Sequence, residues 1–164
     1  MLYLCSVKKN QTNNNMETIE IKNGFGNVVC ECSGRRNPDG SVEICHMDFS
    51  GDKLNLRDVC FRNVKFMHCV FSDFYNLVYS TFMNCEFVGC EFIVVKSLFC
   101  VFSDCVFEDC EFEDWSIFGG CLKNVNFKDC RERNTMVGHC ELEGVVFGNE
   151  SISDGVVEEW RRLK

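Results

Sequence analysis

A five-residue repeat is the feature that most constrains how this chain can fold. Residues 100–114 read CVFSD CVFED CEFED, three consecutive copies of Cys-x-Phe-x-Asp. A period of five matches neither the 3.6-residue helix nor the two-residue strand. Two inward positions in every five residues, followed by a turn, instead make one side of a square coil. Four such units complete one turn, and a fixed short period of this kind is typical of a stacked solenoid.

The same register extends over residues 47–149, with a central position i that is mostly Phe or Leu and a position i−2 that is mostly Cys or Val. An irregular first unit and a short insertion precede the regular part, and Phe74 is one further inserted residue. Two central residues, Ser97 and Glu132, depart from the pattern, so we expect irregular packing in their coils. The central positions are Phe49, Leu56, Phe61, Phe66, Phe71, Leu77, Phe82, Phe87, Phe92, Ser97, Phe102, Phe107, Phe112, Ile117, Leu122, Phe127, Glu132, Val137, Leu142 and Phe147.

With this register, residues 47–149 resemble the pentapeptide-repeat protein family. The resemblance implies an all-β fold, namely a right-handed quadrilateral β-helix of about five coils. Cys in place of the commoner Ala at i−2 is a variant of the family pattern. The resemblance also implies a function, because the best-understood members protect or inhibit DNA gyrase by imitating DNA.

The segments that flank the repeat do not follow its register. Residues 1–15 are predicted to be a flexible tail, and either Met1 or Met16 could be the true start. Residues 16–46 predict a β-hairpin cap, with strands near 18–21, 28–32 and 42–45 and a turn over 34–41. Residues 150–164 predict a short helix that either caps the last coil or contacts a second copy in a homodimer. The apolar face of that helix would hold Val156, Val157, Trp160 and Leu163.

The chain has 14 Cys, and the repeat accounts for most of them. Those at i−2 are expected to be small buried core residues, which favours a reducing compartment and a cytoplasmic location. They are Cys69, Cys85, Cys90, Cys100, Cys105, Cys110, Cys130 and Cys140. A column of stacked thiols at 69, 90, 110 and 130 is interpreted as buried core rather than as a redox or metal site.

Candidate chemistry is otherwise sparse. Cys30, Cys32, Cys45 and His46 lack the C-x2-C spacing of zinc sites, so neither a metal nor another cofactor is predicted. Residues 1–5 are too short for a signal-peptide core, and no apolar run is long enough to span a membrane. Carboxylates are plentiful, but the pattern places them on a convex exterior rather than in a cleft, so the chain is not expected to be an enzyme.

The charge pattern favours a protein partner over nucleic acid. The net charge of −8 argues against direct binding to phosphates. Residues 85–114 carry one base, Lys96, and a set of acids that could imitate DNA in the basic groove of a topoisomerase or a defence nuclease. Five bases interrupt this field: Arg57, Arg62, Lys65, Arg131 and Arg133. The acids are Glu86, Glu91, Asp104, Glu108, Asp109, Glu111, Glu113 and Asp114.

One outward face is apolar instead. Either another segment, such as the N-terminal hairpin, covers it, or it binds a partner or a second copy. Its predicted members are Val78, Tyr79, Ile93, Val94, Leu98, Phe99 and Phe118. The sequence therefore predicts a non-enzymatic protein-binding module, either an acidic DNA mimic or a structural scaffold that binds through this apolar face.

Overall fold

The computed structural model describes residues 6–8, 16–50, 56–72, 77–148, 150–152, 155–157 and 161–162, with side chains for 16–50, 56–72 and 77–148. Every regular element in these ranges is a β-strand. No helix in this part of the chain is long and apolar enough to cross a membrane. The repeat body consists of four sheets whose strands run parallel from coil to coil and enclose one core.

Each coil contributes one strand to each of four faces, in the chain order face 1 to face 4. Face 1 contains β4 (Val42–Cys45), β7 (Val64–Met67), β11 (Glu86–Val88), β15 (Val106–Glu108), β19 (Asn126–Lys128) and β23 (Val145–Phe147). Face 2 contains β5 (Asp48–Phe49), β8 (Val70–Ser72), β12 (Glu91–Ile93), β16 (Glu111–Glu113) and β20 (Arg131–Arg133). Face 3 contains β9 (Leu77–Val78), β13 (Lys96–Leu98), β17 (Ser116–Phe118) and β21 (Met136–Gly138). Face 4 contains β6 (Cys60–Arg62), β10 (Thr81–Met83), β14 (Val101–Ser103), β18 (Cys121–Lys123) and β22 (Cys140–Glu143).

The strand register follows the sequence repeat. Phe82 pairs with Phe102, 20 residues ahead, and with Phe61, 21 residues behind. On face 3 the spacing is already 20, since Leu77 pairs with Ser97. The extra residue therefore lies between β8 and β9, where the sequence places the Phe74 insertion. The prediction of a four-sided β-solenoid of about five coils is confirmed.

Columns of stacked phenylalanine rings form the core. Phe87 stacks on Phe66 at 5.0 Å and on Phe107 at 4.5 Å between ring centroids, and Phe107 stacks on Phe127 at 4.8 Å. These distances match the spacing of about 4.8 Å between neighbouring strands. Each aromatic pair contributes about 0.5–1.5 kcal/mol beyond the burial of its area. The four rings are fully buried.

The cysteines at i−2 do more than fill space. Each thiol donates a hydrogen bond to the backbone carbonyl of the central residue in the preceding coil, as Cys105 does to Phe82 (3.5 Å) and Cys110 to Phe87 (3.3 Å). The Ser80 hydroxyl makes the equivalent bond to the carbonyl of Leu56. Alanine at this position would have no donor, so Cys adds a weak hydrogen bond to each buried carbonyl that it faces.

The two central residues that depart from the pattern have different surroundings. Ser97 is fully buried, and its hydroxyl accepts a hydrogen bond of 2.8 Å from the indole Nε1–H of Trp115. The indole ring fills the space that a large residue at 97 would occupy, stacking on Phe92 at 5.1 Å and on Phe112 at 4.7 Å. Glu132 is half-buried in β20, the terminal strand of face 2.

The N-terminal segment extends face 1. Strands β1 (Ser6–Lys8), β2 (Glu17–Lys22) and β3 (Val28–Arg36) pair antiparallel, and β3 pairs antiparallel with β4. On its other edge β4 pairs parallel with β7, so it belongs both to the predicted hairpin and to the first coil. The predicted strands near 18–21, 28–32 and 42–45 are all present. The turn is shorter than predicted, because β3 continues to Arg36. The Asn37 amide donates a hydrogen bond of 2.9 Å to the Ser41 carbonyl and closes a turn over residues 37–41.

The predicted C-terminal helix is wrong. The described residues form three strands, β24 (Glu150–Ile152), β25 (Gly155–Val157) and β26 (Arg161–Arg162), which pair antiparallel with β23, β22 and β21. The chain thus turns back around the last coil, whose unpaired strand edges offer backbone partners. Gly155 and the β-branched Val156 and Val157 also disfavour a helix. Trp160 and Leu163, the other members of the predicted helical face, lie outside the described residues.

We expect Trp115→Ala to lower the free energy of unfolding by about 3–5 kcal/mol, because it leaves a cavity among stacked rings. Trp115→Phe keeps most of the ring packing but leaves the Ser97 hydroxyl without its donor, so a loss of about 1–2 kcal/mol is expected. Urea denaturation followed by circular dichroism measures both. A loss below about 1 kcal/mol for Trp115→Ala would contradict the packing role.

Candidate partner-binding surface

The corner between successive faces requires a left-handed backbone. Residue i+2 of each unit has a positive φ, between 51° and 60° for every non-glycine corner residue described. This conformation costs an L-residue about 1–2 kcal/mol, and least for Asn and Asp. Most corners carry residues that tolerate it, namely His46, Asp58, Asn63, His68, Asn84, Asp104, Asp109, Asp114, Asn124, Asp129, Asn134 and His139.

Three corners are exceptions, and all three border face 3. Val94 (φ 55°) lies between β12 and β13, before face 3 begins. Tyr79 (φ 56°) and Phe99 (φ 54°) follow β9 and β13, where face 3 ends. A β-branched residue with positive φ is a genuine outlier. Apolar side chains therefore occupy strained corners only around this one face, among the corners described.

An aromatic ladder runs along the corner between faces 3 and 4. The Tyr79 and Phe99 rings stack with centroids 5.2 Å apart, and the Phe99 ring meets the Phe118 ring edge to face at 6.4 Å. The Arg57 guanidinium lies 5.3 Å from the Tyr79 centroid at one end, and the His139 ring lies 4.7 Å from Phe118 at the other. Tyr79 is 48% exposed and Phe99 is 45% exposed.

A glycine accommodates the Phe99 ring in the following coil. A Cβ added at Gly119 would lie 2.6 Å from Cε1 of Phe99. The ring therefore leans over the Gly119 backbone, which holds it in place without covering its outer side. The corner between faces 1 and 2 shows the same arrangement, since the His46 and His68 rings stack at 5.3 Å and a Cβ at Gly89 would lie 2.6 Å from Nδ1 of His68.

The structure brings together only part of the predicted apolar set. Tyr79, Leu98, Phe99 and Phe118 lie on face 3 and its second corner. Val78 belongs to β9 but is only 9% exposed. Ile93 lies on face 2, in register with Ser72 and Glu113, and is separated from face 3 by the Val94 corner.

The register places a base one coil away from several of the predicted acids. Glu86 pairs with Lys65 at 3.0 Å, Glu111 with Arg131 at 2.7 Å and Glu113 with Arg133 at 2.7 Å. Glu108 pairs with Lys128, whose hydrogen bond lowers the pKa of the Glu108 carboxyl. Exposed pairs of this kind contribute little stability, but each one neutralises an acid locally.

The remaining predicted acids divide into two groups. Asp114 accepts a hydrogen bond of 2.6 Å from the Asn134 amide. Asp104 accepts one of 2.9 Å from Asn124, and this bond lowers the pKa of Asp104. Glu91 and Asp109 have no ion pair among the described residues. The acidic surface is therefore a mixture of neutralised and unpaired carboxylates rather than a continuous anionic rod.

Charge also separates face 3 from the other faces. Among the described outward positions of face 3 and the corner that follows it, the charged side chains are Arg57, Asp58 and Lys96, with Arg57 and Asp58 3.6 Å apart, while the corner that precedes face 3 carries Asp114. Acids outnumber bases on each of the other faces. On face 1 they are Glu43, Glu86, Glu108, Asp109 and Asp129 against Lys65 and Lys128. On face 2 they are Asp48, Glu91, Glu111, Glu113 and Asp114 against Arg131 and Arg133. On face 4 they are Asp104, Glu141 and Glu143 against Arg62 and Lys123.

The sequence analysis missed one exposed aromatic residue. Phe25 is 81% exposed at the tip of the hairpin between β2 and β3, and the neighbouring Val28 is 47% exposed. The available signal was a Phe between Gly24 and Gly26, because an aromatic residue in a tight glycine turn has no core to join.

No metal site emerges from the described residues, where no group of three or more His, Cys, Asp or Glu side chains could hold an ion. Cys30 and Cys32 are buried on β3, whereas Cys45 is half-buried on β4. A polar cavity of about 350 Å³ lies beside the turn at 37–41. Side chains that line it are bonded to one another, as Asn84 is to Asn63 (2.8 Å).

Several solved structures are similar to this chain. No protein-family model matches the sequence, and no curated protein matches it significantly. Rfr23, a pentapeptide repeat protein from the cyanobacterium Cyanothece 51142, is 9% identical with a TM-score of 0.42 over 65% of this chain and 85% of its own. A trypsin-treated variant of QnrB1, a plasmid-mediated fluoroquinolone resistance protein, is 15% identical with a TM-score of 0.40 over 63% of this chain and 61% of its own.

The geometry of the coils defines the fold class. Five-residue units, four to a turn, with stacked central residues and left-handed corners are the architecture of a pentapeptide-repeat solenoid. The resemblance inferred from the sequence is thereby confirmed at the level of the fold.

We expect alkaline conditions to destabilise the fold through its buried thiols. Burial raises the pKa of the Cys100 thiol to about 12. The thiol ionises near its ordinary pKa of about 9 only when the chain is unfolded, so the stability it contributes is complete below pH 9 and is lost as the pH rises towards 12. For Cys100 alone the loss at pH 10 is about 1.4 kcal/mol.

Urea denaturation at pH 7.5 and pH 10 measures this effect, and Cys100→Ala is the control that removes it. The decrease in unfolding free energy between the two pH values should be smaller in Cys100→Ala than in the wild type. Equal decreases would show that the Cys100 thiol is not protected from ionisation in the folded state.

Proposed function

We propose that this chain is a protein-binding solenoid that docks a partner protein on face 3 and its two corners. The observation that carries the proposal is the placement of Tyr79, Val94 and Phe99 in left-handed corner positions. Folding alone would favour Asn there, as at the neighbouring Asn84 and Asn124 corners. Strain that the fold does not require is characteristic of functional sites.

The exposure of the rings supports the same conclusion. Tyr79 and Phe99 are nearly half exposed while they remain fixed by stacking and by the contact with Gly119. Rigid aromatic side chains lose little conformational entropy on binding and are enriched at interface centres. Burial of the exposed halves of both rings would contribute on the order of 5 kcal/mol to association. Leu98 and Phe118 provide half-buried apolar surroundings for these two anchors.

A second candidate function uses the acidic surface. Glu91 lies in register with Glu111 on face 2, so two carboxylates occupy adjacent strands. Like charges placed directly opposite are destabilising, which is again a cost that the fold does not require. The family resemblance implies that such a surface would occupy the basic groove of a topoisomerase or a defence nuclease as a DNA mimic. The ion pairs to Lys65, Lys128, Arg131 and Arg133 make this candidate the weaker of the two.

We expect the triple variant Tyr79→Asn, Val94→Asn, Phe99→Asn to be at least as stable as the wild type and to lose its partner. Val94→Asn should raise the free energy of unfolding by about 1 kcal/mol, because it relieves the β-branched corner. Each of the two aromatic substitutions should change the free energy of unfolding little, because the loss of ring stacking offsets the relief of backbone strain. Urea denaturation measures stability. Photo-crosslinking from benzoylphenylalanine at position 99 of the otherwise unchanged chain identifies the partner in a lysate of the source organism, and a pull-down of that partner then measures its capture by the triple variant.

Two controls accompany the triple variant. His46→Asn with His68→Asn makes the same change on the corner between faces 1 and 2 and should leave capture intact. Benzoylphenylalanine at position 67, on face 1, should not capture the same protein. The proposal fails if the triple variant still captures the partner, or if the photo-reactive residue at 99 captures nothing that the one at 67 does not.

For the acidic candidate we expect Glu91→Lys to leave partner capture unchanged at both about 50 mM and about 500 mM salt, because face 2 is not the docking face. Glu141→Lys is the matched control, since it reverses an exposed acid at the equivalent position on face 4. A loss of capture in Glu91→Lys alone, greater at the lower salt concentration, would assign the binding function to the acidic surface instead.

A further inference from the structure

The last coil is covered on three of its four faces. The returning strands β24, β25 and β26 pair antiparallel with β23, β22 and β21, the last coil strands of faces 1, 4 and 3. Face 2 is different, because within the described chain its last strand, β20, pairs with β16 on its inner side and with no strand on its outer side. The described solenoid therefore ends in one open strand edge.

Burial and hydrogen bonding agree with an open edge at β20. Cys110 is fully buried, whereas Cys130, the next residue in the same column, is half-buried. The Cys110 carbonyl accepts a hydrogen bond of 2.9 Å from the Arg131 amide of the following coil. The Cys130 carbonyl has no equivalent backbone partner among the described residues. An edge with unpaired backbone groups is a template on which a strand of another chain can pair.

The composition of β20 is unlike that of the other strands of the repeat body. Its three residues, Arg131, Glu132 and Arg133, are all charged. The central, inward position of face 2 is Phe in every earlier coil and Glu132 in the last. On the three covered faces the last central residues remain apolar, namely Val137, Leu142 and Phe147. An inward charge thus coincides with the one strand of the last coil that the described chain leaves uncovered.

The fold accommodates these charges on its own. Glu132 is half-buried, and its Oε2 atom accepts a hydrogen bond of 3.2 Å from the Thr135 amide. Arg131 and Arg133 each pair at 2.7 Å with a glutamate of the preceding coil, on the side away from the open edge. The three side chains are therefore satisfied within the chain, and their effect on another molecule comes from placing charge beside the edge.

A second copy of the chain would meet its own charges at this edge. In a symmetric end-to-end pair the two β20 strands run antiparallel, which places Arg131 opposite Arg133 and Glu132 opposite Glu132. Like charges directly opposite one another are destabilising, and the two inward carboxylates would be buried without a counter-charge. A slip of one residue would turn the arginines inward instead.

We propose that β20 is a charged end that prevents the solenoid from pairing end to end with a second copy, and that Glu132 is its main determinant. An inward-pointing charge on an edge strand is one of the means by which β proteins avoid edge-to-edge association. The inference concerns the end of the solenoid and is independent of docking on face 3.

Sedimentation velocity tests the proposal in chains that all carry Phe99→Asn, so that face 3 does not contribute to association. The edge variant Arg131→Thr, Glu132→Phe, Arg133→Thr restores the repeat pattern, as in residues 81–83 of face 4. It should form dimers at about 100 μM, with an association constant at least tenfold above that of the parent. Glu132→Phe alone should produce a smaller increase, because the arginines still oppose each other.

The matched control is Lys65→Thr with Lys128→Thr. It also removes two bases and leaves two glutamates, Glu86 and Glu108, without their ion pairs. The strands concerned, β7 and β19, are paired on both sides. This control should therefore sediment like the parent. Benzoylphenylalanine at position 131 of the edge variant should crosslink two copies, whereas benzoylphenylalanine at position 91, two coils inside the same face, should not.

Urea denaturation verifies that each variant is folded. If Glu132→Phe prevents folding, Glu132→Gln replaces it in the edge variant, since its side-chain oxygen can still accept from the Thr135 amide, and the same increase in association is expected. The proposal is overturned if the folded edge variant sediments like the parent, or if the lysine control associates as strongly as the edge variant. Copies of the parent that crosslink through position 131 would also overturn it.

Discussion

Each residue of the repeat body lies beside the residue at the same position one coil away, and the rest of the structure depends on that register. Strands about 4.8 Å apart place equivalent side chains at the distance at which aromatic rings stack. Phe87 lies between Phe66 and Phe107 at 5.0 and 4.5 Å because the three residues share one position in successive coils. The interactions of each coil are thus mainly with its two neighbours, as in other stacked-repeat proteins.

The same register determines which charged side chains lie beside one another on the surface. Most ion pairs of the described repeat body join an acid to a base about 20 positions away rather than to a neighbour in sequence. Residues 85–114 are strongly acidic as a linear stretch, but Lys128, Arg131 and Arg133 lie one coil beyond Glu108, Glu111 and Glu113 and pair with them. Bases that interrupt the acidic pattern in the sequence therefore neutralise particular acids in the fold.

The regular part of the fold could be predicted from the sequence because a repeated side-chain pattern leaves one arrangement that buries all its members. The four-sided coil, the position of the Phe74 insertion and the inward placement of the cysteines could all be predicted from the five-residue period. The contact between Ser97 and Trp115 could not be predicted, because in the sequence each residue is a separate departure from the repeat. The two are brought into hydrogen-bond contact only by the stacking of the coils. The C-terminal strands were missed because the apolar spacing after Gly155 also suits a helix, and only the open edge of the last coil decides between them. The candidate surface was predicted as a set of apolar residues, whereas backbone strain at Val94 and the position of Phe25 required coordinates.

The contact between Phe99 and Gly119 has a consequence for orientation. The Phe99 ring leans towards the following coil, and the His68 ring leans the same way over Gly89. A ladder of such side chains has a polarity, with a guanidinium beside Tyr79 at its beginning and an imidazole beside Phe118 at its end. The two directions along the ladder are therefore not equivalent. A partner segment that follows it has one favourable polarity, and by adopting it would orient the solenoid axis relative to the whole complex.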